Sequence, residues 1–218
     1  MKRRDFTALS TSLAALPVLG ALPNTAAAQG GQPAEGTHYV RVAQPAPTGA
    51  PKGKVEVVEF FWYGCPHCYA FEPIIGPWSK ALPADVAFRR VHVGFTALHQ
   101  THQKLYYSLE TLGAVDQLHA KVFNAIHQQR RRLDKEADLA AFAAENGIDG
   151  GKFLEVFKSF GVQTKARQAT QLSEAYKIDG VPTLGVQGRF WTSATLAGNF
   201  ERSLAVTDFL VQRVKAGG

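Results

Sequence analysis

With 218 residues, 24 Lys and Arg against 18 Asp and Glu, and a net charge of +6, the chain is sized for one domain, or one domain carrying an insertion. Apolar residues make up 45% of it, ample material for a core. The positive excess is dispersed. Its one dense run, Arg130-Arg131-Arg132, is followed at once by Asp134, Glu136 and Asp138, which reads as a solvated helix end and not as a nucleic-acid surface, since that needs a broader basic stripe with stacking aromatics.

Residues 1–28 read as an export signal. Lys2, Arg3 and Arg4 form a charged start, a mildly apolar stretch runs from Phe6 to Leu22, and Ala26-Ala27-Ala28 offers small residues for cleavage. Pro17, Gly20 and Pro23 break the stretch, which is too short for a secure membrane span; the alternative is a disordered or anchoring segment. Arg3-Arg4-Asp5-Phe6 is similar to a twin-arginine signal, and either this route or the Sec route leads to the same compartment. Removal of the segment takes away a net +2 and leaves +4.

A Gly/Gln/Pro-containing leader, 29–36, precedes a short strand at His38–Val42. Ala43–Lys54 carries three prolines and two glycines and reads as a loop. Val55–Phe61 is nearly continuous in its apolar character, as expected of a central strand covered on both faces. A helix is expected from Pro66 towards Lys80, kinked or interrupted by Pro73 and Pro77. Val86–Val93 reads as a second core strand. From Thr96 to Phe160 helical stretches follow one another, broken at Gly113, near Arg131–Asp134, at Asn146-Gly147 and at Gly150-Gly151; Thr164–Tyr176 continues as helix. Thr183–Gln187 and Arg189–Trp191 form a hairpin about Gly188, and Phe200–Lys215 closes the chain as an amphipathic helix. The pattern is an α/β domain with a helical insertion.

The chain has two cysteines, Cys65 and Cys68, placed between the first core strand and the first helix. A structural bridge stabilises mainly by constraining a long loop, and closing four residues constrains little, so the spacing favours redox chemistry. Cys65 at the helix start meets unpaired N–H groups and the helix dipole, which favour a thiolate. A closed zinc site needs four ligands and has no second Cys pair to draw on; haem attachment needs His where Tyr69 stands. No metal is expected.

Glu59-Phe60-Phe61, then Cys65-Pro66-His67-Cys68-Tyr69, then Val181-Pro182-Thr183 far downstream, resemble the DsbA family of periplasmic thiol:disulfide oxidoreductases. The resemblance covers essentially the whole chain after the export signal. It implies a thioredoxin-like fold with an inserted all-helical domain: residues 37–95 and 164–218 for the first, 96–163 for the second. It departs from the family at Pro73, where a second acidic residue after Glu72 is usual, and at Arg90, where Lys is expected.

In this reading Cys65 is the nucleophile, Pro66 opens the helix, His67 stabilises the thiolate, and Cys68 is the buried resolving partner. The resemblance implies a cis peptide at Val181–Pro182, turning the Val181 backbone outward to pair with an extended substrate. Glu59 is expected as a proton acceptor near Cys68 or a partner of Arg90, the alternative being an edge position exposed to solvent, and His92 as structural. Phe61, Trp62, Tyr63 and Tyr69 are expected to supply an apolar rim around Cys65 suited to unfolded polypeptides, with part of the set going to the core. No cofactor is needed beyond the Cys65–Cys68 disulfide. The implied partners are reduced, unfolded exported proteins and a DsbB-like quinone-linked membrane oxidoreductase that reoxidises a monomeric enzyme. The alternatives are a periplasmic disulfide reductase or isomerase, and a non-catalytic, chaperone-like binding module.

Overall fold

The computed structural model describes residues 31–218, and Pro33–Gly218 form one compact unit. The export signal expected at 1–28 lies outside the described residues. Val55–Phe61 (β2) is buried along its whole length, because it lies between two neighbours in the sheet and under helices on both faces. It pairs in parallel with Val86–His92 (β3) on one side and antiparallel with Thr183–Val186 (β4) on the other. Phe190–Ser193 (β5) and the short Val40–Arg41 (β1) extend the sheet, giving the order β1-β5-β4-β2-β3.

The parallel β2–β3 pair requires a crossover, supplied by Pro66–Lys80 (α1). Of the two outcomes expected at Pro73 and Pro77, interruption does not occur: the helix runs through both. Both lie four apart on its exposed side, where water can satisfy the carbonyls that lose an N–H partner, while Cys68, Phe71 and Ile75 hold the buried side.

Between β3 and β4 runs the helical block: Ala97–Thr111 (α2), Val115–His127 (α3), Glu136–Glu145 (α4), Gly150–Lys158 (α5) and Phe160–Tyr176 (α6). Gly150-Gly151 was expected to break a helix but begins one, because Asp149 caps it by accepting from the Lys152 N–H at 2.7 Å. Helix α6 starts earlier than expected, capped by Ser159, so the boundary between 163 and 164 falls inside an unbroken helix. Ala194–Ala197 (α7) and Phe200–Lys215 (α8) complete the chain.

The strand period distributes the two layers. Val57 packs with Val206, Leu210 and Val211 of α8, while Phe60 on the opposite face meets Tyr176 of α6 at 5.0 Å between ring centroids. The hairpin turn at Gln187-Gly188 has positive φ at both residues, 50° and 65°. Gly188 is required there twice over, since a Cβ would lie 2.1 Å from the Ala46 carbonyl oxygen. Among the described residues no helix is long and apolar enough to cross a membrane.

Candidate active site

Cys65 is the N-cap of α1, with extended backbone, and Pro66 occupies the first turn. Its Sγ accepts from the Cys68 N–H at 3.4 Å and lies 3.4 Å from the Val181 carbonyl oxygen. Both thiols are free. Cys65 is 7% exposed and Cys68 fully buried, so an incoming sulfur can reach only the first. The Cys65 thiol is lowered to about 6. The main cause is a hydrogen bond from the Cys68 thiol, opposed by burial; the N–H groups of Cys68 and His67 and the charge of His67 follow. Burial, reinforced by the neighbouring Cys65, pushes Cys68 well above the usual thiol range.

The Val181–Pro182 peptide is cis. With exposed His67 it lines a groove of about 500 Å³ bounded also by Ile178, Trp191, Leu196 and Phe200. Trp62 and Tyr69 are partly buried beside the cysteines. Phe61 and Tyr63 are not rim residues: both are completely buried. Phe61 points into a cage of Tyr63, His92, Tyr106 and His119, all at edge-on angles, because the helical block closes over the end of β2.

Tyr63 is held at every polar group by a different histidine. Its N–H donates to His92 Nε2 at 3.2 Å, its carbonyl accepts from His127 Nε2 at 2.8 Å, and its hydroxyl meets His119 Nδ1 at 3.0 Å. Trp62 is fixed similarly, donating from its indole N–H to His102 Nδ1 at 3.0 Å and lying over His99 at 4.0 Å. Gly64 follows because Trp62 folds back over it; a Cβ there would come within 2.3 Å of the indole. Burial keeps His92 and His102 below the ordinary histidine range, hence neutral.

Near Cys68 begins a chain of ionisable groups, Glu59 fully buried and Arg90 and Glu72 partly so. Arg90 Nε donates to Glu59 Oε2 at 2.8 Å, and its Nη2 reaches both oxygens of Glu72 at 3.3 and 3.4 Å. Glu72 Oε1 lies 3.0 Å from His119 Nε2. Glu59 Oε1 is buried with no hydrogen-bond partner. Burial raises Glu59 to about 8 in spite of Arg90. Burial also pushes Glu72 upward, but the hydrogen bond and charge interaction with His119, followed by those with Arg90, outweigh it and leave this carboxyl lowered. Among the described residues no group of three or more His, Cys, Asp or Glu is placed to hold a metal ion.

Sequence reasoning placed the cysteines, Glu59 and Arg90 in one neighbourhood, and the structure brings them together. It missed His119 and His127 altogether. Glu72 carried a readable signal, four residues after Cys68 and therefore on the same helical face. The two histidines carried none, being reached only across the domain.

A family model described as the DsbA-like thioredoxin domain matches residues 56–205. The thiol:disulfide interchange protein DsbA of Bordetella pertussis is 45% identical over 202 residues, covering 92% of this chain and 95% of the relative. That of Pseudomonas aeruginosa is 41% identical over 190 residues, 87% and 90% respectively. The crystal structure of Pseudomonas aeruginosa DsbA superposes with a TM-score of 0.81 at 41% identity, covering 84% of this chain and 95% of that one.

Proposed function

The chain belongs to the DsbA-like thioredoxin family and is a thiol:disulfide oxidoreductase working through its own cysteine pair; on that premise we propose that it donates the Cys65–Cys68 disulfide to newly exported proteins in the periplasm. The observation carrying this reading is the inequality of the two sulfurs. Cys65 is reachable and comfortable as a thiolate; Cys68 is buried and resists ionisation. A reduced state that stabilises an anion makes the disulfide a good oxidant.

A substrate thiolate attacks Cys65 Sγ, forming the intermolecular S–S bond as the Cys65–Cys68 bond breaks. The electron pair leaves on Cys68, which needs a proton because its thiol holds one far above neutral pH. Glu59, protonated at pH 7 with a value of about 8, supplies it as general acid through an intervening water, since neither of its oxygens hydrogen-bonds to Cys68. A second substrate thiolate then attacks the substrate sulfur of the mixed disulfide, and Cys65 departs as a thiolate without needing a proton. Two substrate thiols have become a disulfide, and the enzyme pair has taken up their two electrons. Reoxidation by a DsbB-like quinone-linked membrane protein reverses the exchange, with Glu59 as the base.

His67 supports the Cys65 anion and Pro66 starts the helix that delivers its N–H groups. The backbone of Val181 and Pro182, beside Cys65 and along the groove, receives an extended substrate segment as an added strand. Trp62 and Tyr69 supply apolar contact, and Arg90 holds Glu59 in place. Residues 1–28 direct export, residues 37–95 and 164–218 form the thioredoxin-like part, 96–163 the helical part, and the enzyme works as a monomer.

Replacing Cys65 by Ser is expected to abolish catalysed oxidation of a reduced test protein; activity that survives it overturns the reading. A redox titration against glutathione separates the oxidase from a reductase or isomerase. A midpoint close to thioredoxin's, about −270 mV, would assign the chain to the reductases.

A further inference from the structure

His119 belongs to the helical block, yet it makes both of its hydrogen bonds to the thioredoxin-like part. A carboxylate is acceptor only, so Nε2–H donates to Glu72 Oε1 at 3.0 Å, which leaves Nδ1 to accept from the Tyr63 hydroxyl at 3.0 Å. Burial lowers His119 below the ordinary histidine range, and in the neutral ring so favoured these contacts select that one tautomer. The ring is packed edge-on against Phe61, Tyr106 and Phe123. The charged and titratable groups facing it are Glu72 of α1, Arg90 and His92 of β3, Asp116 of its own helix, Tyr63 of the active-site loop and Tyr106 of α2.

We propose that His119 is a positioning residue for disulfide exchange: its Nε2–H holds Glu72 as a carboxylate turned onto Arg90, so that Arg90 is shared between two carboxyl groups and not committed to Glu59. The inference rests on the reading of Glu59 as the acid for Cys68. Arg90 carries one charge and faces two acids. While Glu72 is ionised, it takes part of that charge and adds its own repulsion, and both effects keep the proton on Glu59. Without the histidine donor, Glu72 picks up a proton more readily, Arg90 turns fully to Glu59, and Glu59 gives up its proton earlier. A residue of the inserted helices thereby sets the proton affinity of a strand carboxyl that it never touches.

The test is an NMR titration of the Glu59 side-chain carboxyl in the reduced full chain, assigned with Glu59→Gln, and repeated in three variants. His119→Phe fills the aromatic cage but cannot donate, and should lower the Glu59 midpoint by about one pH unit. His119→Gln keeps an N–H for Glu72 and should stay near the parent. Glu72→Gln removes the second carboxylate directly and should lower the midpoint by itself, with His119→Phe adding nothing in that background. An unchanged midpoint in Glu72→Gln overturns the proposal even if His119→Phe fails to fold. So does a His119→Gln shift as large as that of His119→Phe. The titration needs no substrate, so its outcome is separate from the Cys65→Ser assay that decides the oxidase reading.

Discussion

Arg90 donates to Glu59 Oε2 at 2.8 Å and leaves Glu59 Oε1 buried without a partner. Three residues earlier on the same strand, buried Glu56 is provided for differently. Its Oε1 accepts from the Gly49 N–H at 2.7 Å and from Arg89 at 2.9 Å, and its Oε2 from Arg89 at 3.4 Å. One carboxylate is fully satisfied; the other is kept in a state that a proton would improve.

Glu59→Gln should therefore stabilise the protein as pH rises. The folded-state value of about 8 lies above the ordinary carboxyl value of 4.5. The protonated form is favoured by folding, so this group's contribution is present at low pH and is lost between those two values. Denaturant unfolding at both ends of that window should show a gain in the variant that grows with pH, on the order of a few kcal/mol. The same variant should slow single-turnover disulfide donation by about 100-fold. An undiminished rate would remove Glu59 from the proton path.

The reduced protein should show thiolate absorbance with a midpoint near pH 6. Cys68→Ala removes the largest cause, the thiol hydrogen bond to Cys65, and should raise that midpoint more than His67→Leu does. Here the folded value lies below the unfolded one. The stabilisation of the reduced form is fully present above the free-thiol value of ~8.5 and fades as pH falls through the folded midpoint. Comparing thermal unfolding of reduced and oxidised protein across this range should show the reduced form's advantage shrinking on acidification.

Buried neutral histidines impose an acid limit on the whole fold. His92, His102 and His119 all lie below their ordinary value of 6.5 through burial. Their contribution is present above that value and is lost as pH falls and the rings must be charged. Melting temperature should fall below about pH 6, opposite in sign to the Glu59 effect, and His102→Asn should flatten the decline.

Gly64→Ala should displace Trp62, because the added carbon would sit 2.3 Å from the indole ring. The expected cost is about 1–3 kcal/mol, with a change in near-ultraviolet circular dichroism as the indole leaves His102. A variant with unaltered spectrum and stability would mean that the loop has slack.

The strands β2 and β3, the β4–β5 hairpin and the helix carrying the cysteines were legible because each announces itself locally: a run of β-branched and aromatic residues, a Gly turn, a Pro at a helix start. The continuity of α1 was not, since two prolines read as breakers until their shared exposed face is known. Phe61 and Tyr63 were misplaced on the surface because nothing nearby in sequence says that α2 and α3 cover them. Glu59 and Arg90 could be paired from strand register alone, being direct neighbours across β2 and β3. The hydrogen bond from Cys68 to Cys65 was hidden for another reason: it depends on side-chain orientation within one turn.

The three-way anchoring of Tyr63 gives the helical block a share in ownership of the catalytic turn. Someone trimming the chain to a minimal thioredoxin would keep both sulfurs, the proline and the sheet. The tyrosine's carbonyl and hydroxyl would nonetheless be stripped of the histidines from α3 that now answer them. What looks like an accessory module is, at this spot, part of the scaffolding that tells the first cysteine where to point.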